Sequence, residues 1–328
     1  MTRRLIAEIG SCNGDLALAI DTAEAAIEAG AWQVKGQMFH ADRLVTKDAA
    51  GYGHQSIVEK PTQHEAFANA LTYDQWHTVS TVCKGKFFAS VFDLEACRDY
   101  PYEYIKIASG DITYKGLVVA ASQTGKRMIV STGAATMSEI HRMRSWIPGV
   151  PVTLLVCTLS YPTEPCDANV NRVTKMQSLK VDVGYSDHTR GTAAAHLAFD
   201  LGASMVEKHF TIRPGTGGDH DFAIGPDQAR EIVERVDAAS DAVTLVYGGS
   251  DIVGPRVSEL PALNGARRSL HARVDIPSGT KLRSSMVSVL RPAVGIEPWL
   301  LQDTLGRHTT RRIVAGDPIT ADCFYHSE

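Results

Sequence analysis

Short apolar runs alternate with stretches of helical period along most of this chain. The apolar runs lie at residues 5–9, 32–37, 87–92, 104–108, 127–131, 153–157, 181–185 and 204–209. Between them, residues 16–29, 73–83, 94–98, 114–124, 136–146, 173–179, 192–201 and 227–247 repeat apolar positions at the spacing of one helix face. Strand-length runs separated by helix-length stretches predict βα units and a parallel sheet. Eight such units close naturally into a TIM (β/α)8 barrel, expected here over residues 1–249. A doubly wound open sheet suits the same alternation, but its first turn usually carries GxGxxG. The turn Gly10-Ser11-Cys12-Asn13-Gly14 does not match it.

The pattern changes after Gly248-Gly249. Residues 250–264, with Gly254, Pro255 and Pro261, read as a linker. Over residues 265–328, β-like runs at 269–274, 287–290 and 311–315 are broken by turn signals such as Asp275-Ile276-Pro277-Ser278-Gly279. They predict a small β-rich domain. The longest irregular stretch, residues 38–64, follows the second strand, and a loop of that length is more often a binding or lid element than filler.

Composition narrows the class. At 328 residues the chain has room for one large domain and a small second one. A net charge of -4 gives no basic face for nucleic acid. Six scattered cysteines without a CxxC pair suit a reducing compartment better than a disulfide framework or a zinc ribbon. No apolar run reaches the length of a signal core or a membrane span. The expectation is a soluble, cytoplasmic protein that binds neither nucleic acid nor membrane.

Candidate chemistry centres on Gly184-Tyr185-Ser186-Asp187-His188-Thr189 and Glu207-Lys208-His209-Phe210-Thr211. Each follows an apolar run, and neighbouring parallel strands lie about 4.8 Å apart. His188 and His209 would then leave the same end of the sheet, close enough to share one divalent metal. A single histidine at a strand end is more often a hydrogen-bonded rim residue; two at matching ends, each beside an acidic residue, fit that reading less well. Imidazole suits zinc, manganese, iron and cobalt alike. Ser186, Asp187 and His188 do not form a catalytic triad, because successive strand residues face opposite sides.

Catalytic groups of such barrels lie at the C-terminal ends of the strands. That rule also selects Glu8, Lys35, Gln37, Lys106, Ser109, Ser131, Thr132, Thr158, Ser160 and Tyr161. Lys35 and Lys106 both sit in apolar runs, and a buried ammonium requires an anionic partner. A bound dianion fits, with serine and threonine hydroxyls completing its hydrogen bonds. Glu8 is either an ion-pair partner of those lysines or a group that handles a proton. The stretch Gly215-Thr216-Gly217-Gly218-Asp219-His220 lacks the Lys-Ser/Thr of a P-loop and reads as a flexible loop, from which Asp219 or His220 could reach the site.

These residues match a known pattern. The chain resembles the sialic acid synthase family, enzymes that condense phosphoenolpyruvate with N-acetylmannosamine or a related sugar. The likeness includes Ala7-Glu8-Ile9-Gly10, Val34-Lys35-Gly36-Gln37, Phe88-Ala89-Ser90-Val91-Phe92-Asp93 and Ile105-Lys106-Ile107-Ala108-Ser109. It continues through Ser131-Thr132-Gly133, Cys157-Thr158-Leu159-Ser160-Tyr161-Pro162 and both histidine segments. Ala266-Arg267-Arg268-Ser269-Leu270, Arg291-Pro292 and Gly295-Ile296 resemble the family's C-terminal antifreeze-like (SAF) domain. The resemblance implies manganese or magnesium held by His188 and His209, with cobalt a further option. It implies phosphoenolpyruvate held among Lys35, Lys106, Ser109, Ser131 and Ser186, with Gln37, Thr132 and Ser160 as further substrate contacts. Glu8, Tyr161 and Asp219 match positions near the reacting centre and the amino sugar. Family members form domain-swapped homodimers in which the SAF domain lends an arginine to the partner's barrel, and Arg268 is the first candidate here, with Arg267 behind it.

Three features depart from the family pattern. Ser11-Cys12-Asn13-Gly14 is one residue shorter than the usual first loop and lacks its histidine. Val156 replaces a histidine before the Cys-Thr pair, and Leu159 replaces a serine or asparagine able to touch substrate. Altered specificity is therefore expected within the same chemistry, with pseudaminic- or legionaminic-type precursors as the alternatives to N-acetylmannosamine. Cys12 could be a reactive thiol or a small buried hydrophobe. A non-catalytic glycan-binding or scaffold protein would have no physical need for buried lysines beside a histidine pair.

Overall fold

The computed structural model describes residues 3–10, 12–51, 62–216, 218–234, 247 and 253–324. Eight parallel strands close into a barrel in sequence order. They are β1 (Leu5–Glu8), β2 (Gln33–Met38), β3 (Phe87–Val91), β4 (Tyr104–Ile107), β5 (Arg127–Ser131), β6 (Val152–Cys157), β7 (Asp182–Asp187) and β8 (Val206–His209). Each coincides with an expected apolar run. Closure pairs Glu8 with His209 across β1 and β8.

Period-two alternation decides what each strand offers to either side. Outward residues such as Ala7, Val34, Ile105, Val130, Val156 and Val206 belong to the main core beneath the helices. Inward residues Ile6, Phe88, Tyr104, Ile129, Leu155 and Met205 form a separate apolar plug towards the strands' N-terminal ends. At the same level β7 carries Gly184, where a Cβ would come within 2.6 Å of both Leu155 Cδ2 and Met205 O. The missing side chain lets the plug close at that point.

Seven of the expected helical stretches hold helices: Leu16–Glu28, Tyr73–Val82, Lys115–Gln123, Met137–Ser145, Arg172–Gln177, Ala193–Asp200 and Pro226–Glu234. The expected continuation of the last one to residue 247 lies outside the described residues, apart from Tyr247. Capping boxes Thr72/Gln75 and Thr136/Glu139 start two of them. Residues 94–98, expected as a helix, are turns instead. Asp93 accepts a hydrogen bond from Ala96 N at 2.9 Å, and Asp99 takes a positive φ of 50°, so local side-chain bonding wins over helix formation.

The stretch read as a linker carries a short helix, Leu260–Ala266. Beyond it β9 (Ser269–Ala272) pairs antiparallel with β10 (Val287–Leu290) over a small core of Leu270, Ile276, Leu282, Ile313 and Ile319. The run expected at 311–315 contributes one bridge, Ile276 to Ile313. This β-rich unit docks on the C-terminal face of the barrel. Arg291 donates its N–H to Leu44 O at 3.0 Å and accepts from Thr46 N at 2.9 Å. Gln63 Nε2 donates to Gly265 O at 3.1 Å. The described parts of the long loop after β2 are thus pinned by the tail. No helix among the described residues is long and apolar enough to cross a membrane.

Candidate active site

Immediately above the plug, every strand places one inward residue on the floor of a cavity of about 460 Å³. In strand order they are Glu8, Lys35, Ser90, Lys106, Ser131, Cys157, Ser186 and Glu207, all lining it. None is more than 6% exposed. Lys35 is ion-paired closely with Glu8 and donates to Ser90 Oγ at 3.0 Å. Lys106 donates to Ser131 Oγ at 2.6 Å. Glu207 lies 3.7 Å from both ammoniums and accepts from Ser186 Oγ at 3.3 Å. Burial works against charge on every one of these groups. For Lys35 the nearby Glu207 and Glu8 overcome it and raise the pKa. For Lys106 burial prevails, aided by Lys35, and the pKa falls despite Glu207. Glu207 resists burial through Lys106 and Lys35 and stays well below the usual carboxylate range.

Glu8 also accepts from Gln37 Nε2 at 2.9 Å and from Gly10 N at 2.8 Å, so its Oε1 is fixed by two donors. The histidine pair stands one step further out, with ring centroids 5.6 Å apart. His188 hydrogen-bonds through Nδ1 to Thr158 O at 2.7 Å, which assigns the proton to Nδ1 and leaves Nε2 as a lone pair. Burial and the neighbouring His209 push its pKa down to about 3, so the ring is neutral. Buried His209 Nδ1 makes no hydrogen bond among the described residues and lies 3.4 Å from Asp219 Oδ2. Tyr161 covers His188 at 4.1 Å between ring centroids, and Phe222 covers His209 at 4.9 Å. Two buried imidazoles side by side, one of them oriented by a backbone carbonyl, suit a divalent metal. Among the described residues no third histidine, cysteine or carboxylate completes a cage around them. The remaining coordination positions would fall to water or substrate, as at a catalytic metal.

Alternation also sorts the acids and bases flanking the histidines. Asp187 and Lys208 face outward and pair with each other at 2.7 Å. Glu207 faces inward, on the same face of β8 as His209 two residues on, and is a site residue beyond those expected from the sequence. Of the other expected residues, Gln37, Ser109, Tyr161 and Asp219 line the cavity. Thr132 and Ser160 do not: Thr132 Oγ1 donates to Leu155 O at 3.0 Å and Ser160 Oγ to Pro162 O at 3.2 Å.

Arg268 is likewise placed elsewhere. It is buried against Asp111 at 2.6 Å and donates to Phe92 O at 2.5 Å, so it is fully engaged away from the cavity. Arg267 reaches Glu139 at 3.3 Å. The SAF arginine that lines the cavity is Arg291, buried, with its Nε unpartnered among the described residues. No periodicity singles it out in the sequence; only docking of the β-rich unit brings it there. Phe39, Leu44, Phe67 and Phe92 supply an apolar wall nearby.

The departures separate in the same way. Val156 points into the helix layer and leaves the cavity unchanged, whereas Leu159 and Cys12 line it. Cys12 donates to Ile9 O at 3.1 Å, and burial, with Glu8 next in effect, pushes its thiol up to about 12. It is a packed hydrophobe, not a nucleophile.

Comparison with known proteins agrees with this architecture. The NeuB family profile matches residues 22–246, and a SAF domain profile matches residues 267–324. The chain belongs to the NeuB family. A relative in this family, the N,N'-diacetyllegionaminic acid synthase of Legionella pneumophila, is 32% identical over 96% of this chain and 93% of its own length. The spore coat polysaccharide biosynthesis protein SpsE of Bacillus subtilis superposes with a TM-score of 0.82, at 27% identity, covering 100% of this chain and 96% of that one. The N-acetylneuraminic acid synthetase of Leptospira borgpetersenii, solved with citrate, gives a TM-score of 0.62 at 27% identity, over 79% of this chain and 89% of that one. The NeuB chain described here therefore has synthases of nonulosonic acids among its named relatives.

Proposed function

We propose that this NeuB protein condenses phosphoenolpyruvate with N-acetylmannosamine or a closely related aldose, in a divalent-metal-dependent reaction giving a nonulosonic acid and phosphate. The floor carries this reading: two buried lysines and their serine partners lie directly beneath a buried histidine pair. Carbon 3 of phosphoenolpyruvate bonds to the aldehyde carbon, water adds at carbon 2, and phosphate leaves as its carbon–oxygen bond breaks. Lys35 and Lys106, with Ser109, Ser131 and Ser186, hold the phosphate and carboxylate through charge-assisted hydrogen bonds. Formal charges of the two lysines and two glutamates cancel on the floor, so the cationic excess that attracts a dianion comes from Arg291 and the metal. Manganese is the first choice, with magnesium and cobalt as alternatives; held by His188 and His209, it would polarise the aldehyde oxygen. Glu8, its Oε1 fixed by Gln37 and Gly10, orients the added water. Tyr161 and Arg291 close the mouth against solvent.

Residues 1–249 would act as the catalytic unit, 250–264 as its connection and 265–328 as the SAF unit, in a cytoplasmic homodimer that exchanges SAF units. In that exchange Arg291 takes the part first expected of Arg268. A second reading keeps the mechanism and changes the sugar to the aldose precursor of a legionaminic-type acid. Leu159 on the cavity wall favours it, because an apolar side chain at that point recognises a less hydroxylated substrate. The deciding assay is phosphate release from phosphoenolpyruvate with manganese, across a panel of aldoses, with a chelator control and product masses. Metal-dependent release with N-acetylmannosamine supports the first reading, and release only with a diacetamido aldose supports the second. Silence with every sugar, from folded and metal-loaded protein, sinks both.

A further inference from the structure

We infer that Glu259 is a positioning residue for the active site, holding two of its loops in mutual register from the segment that leads into the SAF unit. Its side chain is completely buried. One carboxylate oxygen, Oε1, accepts from Ala134 N at 2.7 Å and from Leu159 N at 2.8 Å. The other, Oε2, accepts from Arg256 N at 2.7 Å and so ties the carboxylate to its own turn. Ala134 and Leu159 lie 125 and 100 residues away in sequence, on the loops that follow β5 and β6. A single acceptor atom shared by two loops sets the distance between them. Both residues are buried, and each N–H would lose its one acceptor among the described residues if the carboxylate left, so the arrangement is costly to abandon.

Both loops carry groups of the cavity. The first runs from Ser131, which receives Lys106, through Gly133, whose N–H donates to Ser109 Oγ at 3.0 Å. Ala134 adopts φ 53° there, a conformation that a non-glycine residue holds only when its surroundings impose it. Glu259 takes its N–H and Arg267 donates to its carbonyl at 3.2 Å, so the same short segment grips both sides of the residue. The second loop runs from Thr158, which orients His188, to Tyr161, which covers that ring. Ala262 and Ala266 of the helix Leu260–Ala266 pack on Ala134 and Leu159, filling the space around the carboxylate. Gly110 admits that helix, since a Cβ there would come 2.7 Å from Ala266 O. Glu259 touches neither the floor nor the histidines. It acts through the loops that bear them.

This inference rests on reading the cavity as the phosphoenolpyruvate site, and the test separates the two. Glu259→Ala, Glu259→Asp and Glu259→Gln are compared with the parent and with Ile313→Ala, a control that weakens the SAF core without touching the loops. Amide hydrogen exchange is followed in peptides covering residues 131–134 and 159–161, and phosphoenolpyruvate binding by calorimetry. Glu259→Ala is expected to speed exchange in both loops about tenfold or more, reporting local opening. Binding should weaken by roughly 10-fold to 100-fold, the scale of an ångström-sized misplacement. Glu259→Asp, which withdraws the oxygens by one methylene without emptying the site, should behave alike if the alanine variant does not fold. Glu259→Gln keeps an acceptor oxygen for the two loops but sets its NH2 against Arg256 N–H, so it should fall between the parent and Glu259→Ala, while Ile313→Ala should stay within about threefold of the parent. Parent-like exchange and binding in Glu259→Ala and Glu259→Asp, or equal damage from Ile313→Ala, would overturn the inference. Fast loops in the variants, together with a parent that binds no phosphoenolpyruvate, would leave the positioning role standing and reject the proposed function instead.

Discussion

Glu207 shows how much one inward side chain can decide. It lies between Lys35 and Lys106 and, together with Glu8, brings the formal charge of the floor to zero. Removing its charge leaves two buried ammoniums facing one carboxylate, and breaking such a pair costs about 3–5 kcal/mol. Glu207→Gln should therefore lower the urea midpoint of the protein. The same change frees one positive charge for an incoming anion, so phosphoenolpyruvate should bind more tightly, by about 10-fold if one buried ion pair no longer competes. Calorimetry on the metal-free protein checks this, and weaker binding would show that Glu207 contacts the ligand favourably. His209 pointed to the metal in the sequence, yet Glu207, two residues before it, gained a role only once the strand's inward face was known.

At the scale of elements, the strands divide chemistry from support by their alternation. Most positions facing the helices are apolar, the buried Asp187–Lys208 pair being an exception, and the sequence pattern located all eight strands from those apolar runs. Inward positions carry three consecutive levels: apolar plug, charged floor, then the histidines with Gln37. Gly184 belongs to the first level, where any side chain would meet Leu155 and the backbone of Met205. Gly184→Ala should cost about 1–3 kcal/mol through overpacking, read from the shift in the urea midpoint at unchanged slope. An unchanged midpoint would mean that the barrel's lower end repacks freely. The helix expected at 94–98 was not formed because Asp93 and Asp99 direct turns there, a local competition that apolar spacing does not reveal.

At the scale of the whole molecule, the β-rich unit completes the mouth of the barrel. It supplies Arg291 to the cavity and pins the loop after β2 through Leu44, Thr46 and Gln63. If two copies exchange these units, Lys106 and Arg291 of one active site come from different chains. Mixing Lys106→Ala with Arg291→Ala protein after mild unfolding and refolding should then restore activity. Random pairing puts one intact site in each mixed dimer, about a quarter of all sites. If each unit serves its own barrel, no site is repaired and the mixture stays inactive. Assay of phosphate release distinguishes the two results.

The sequence by itself determined the barrel, the β-rich tail, the histidine pair and most residues of the cavity floor. Those features are written in local period and in motifs tied to strand ends, and period survives without knowledge of neighbours. Tertiary structure alone decided which arginine reaches the cavity, which acid stands between the lysines, and that Thr132, Ser160 and Val156 face away. The arginine depends on the docking of residues more than a hundred positions apart, Glu207 and Val156 on a strand's face, and Thr132 and Ser160 on backbone carbonyls that take their hydroxyls. Arg267, Arg268 and Arg291 are chemically alike in a sequence, and only packing against Glu139, Asp111 and the open cavity makes them different.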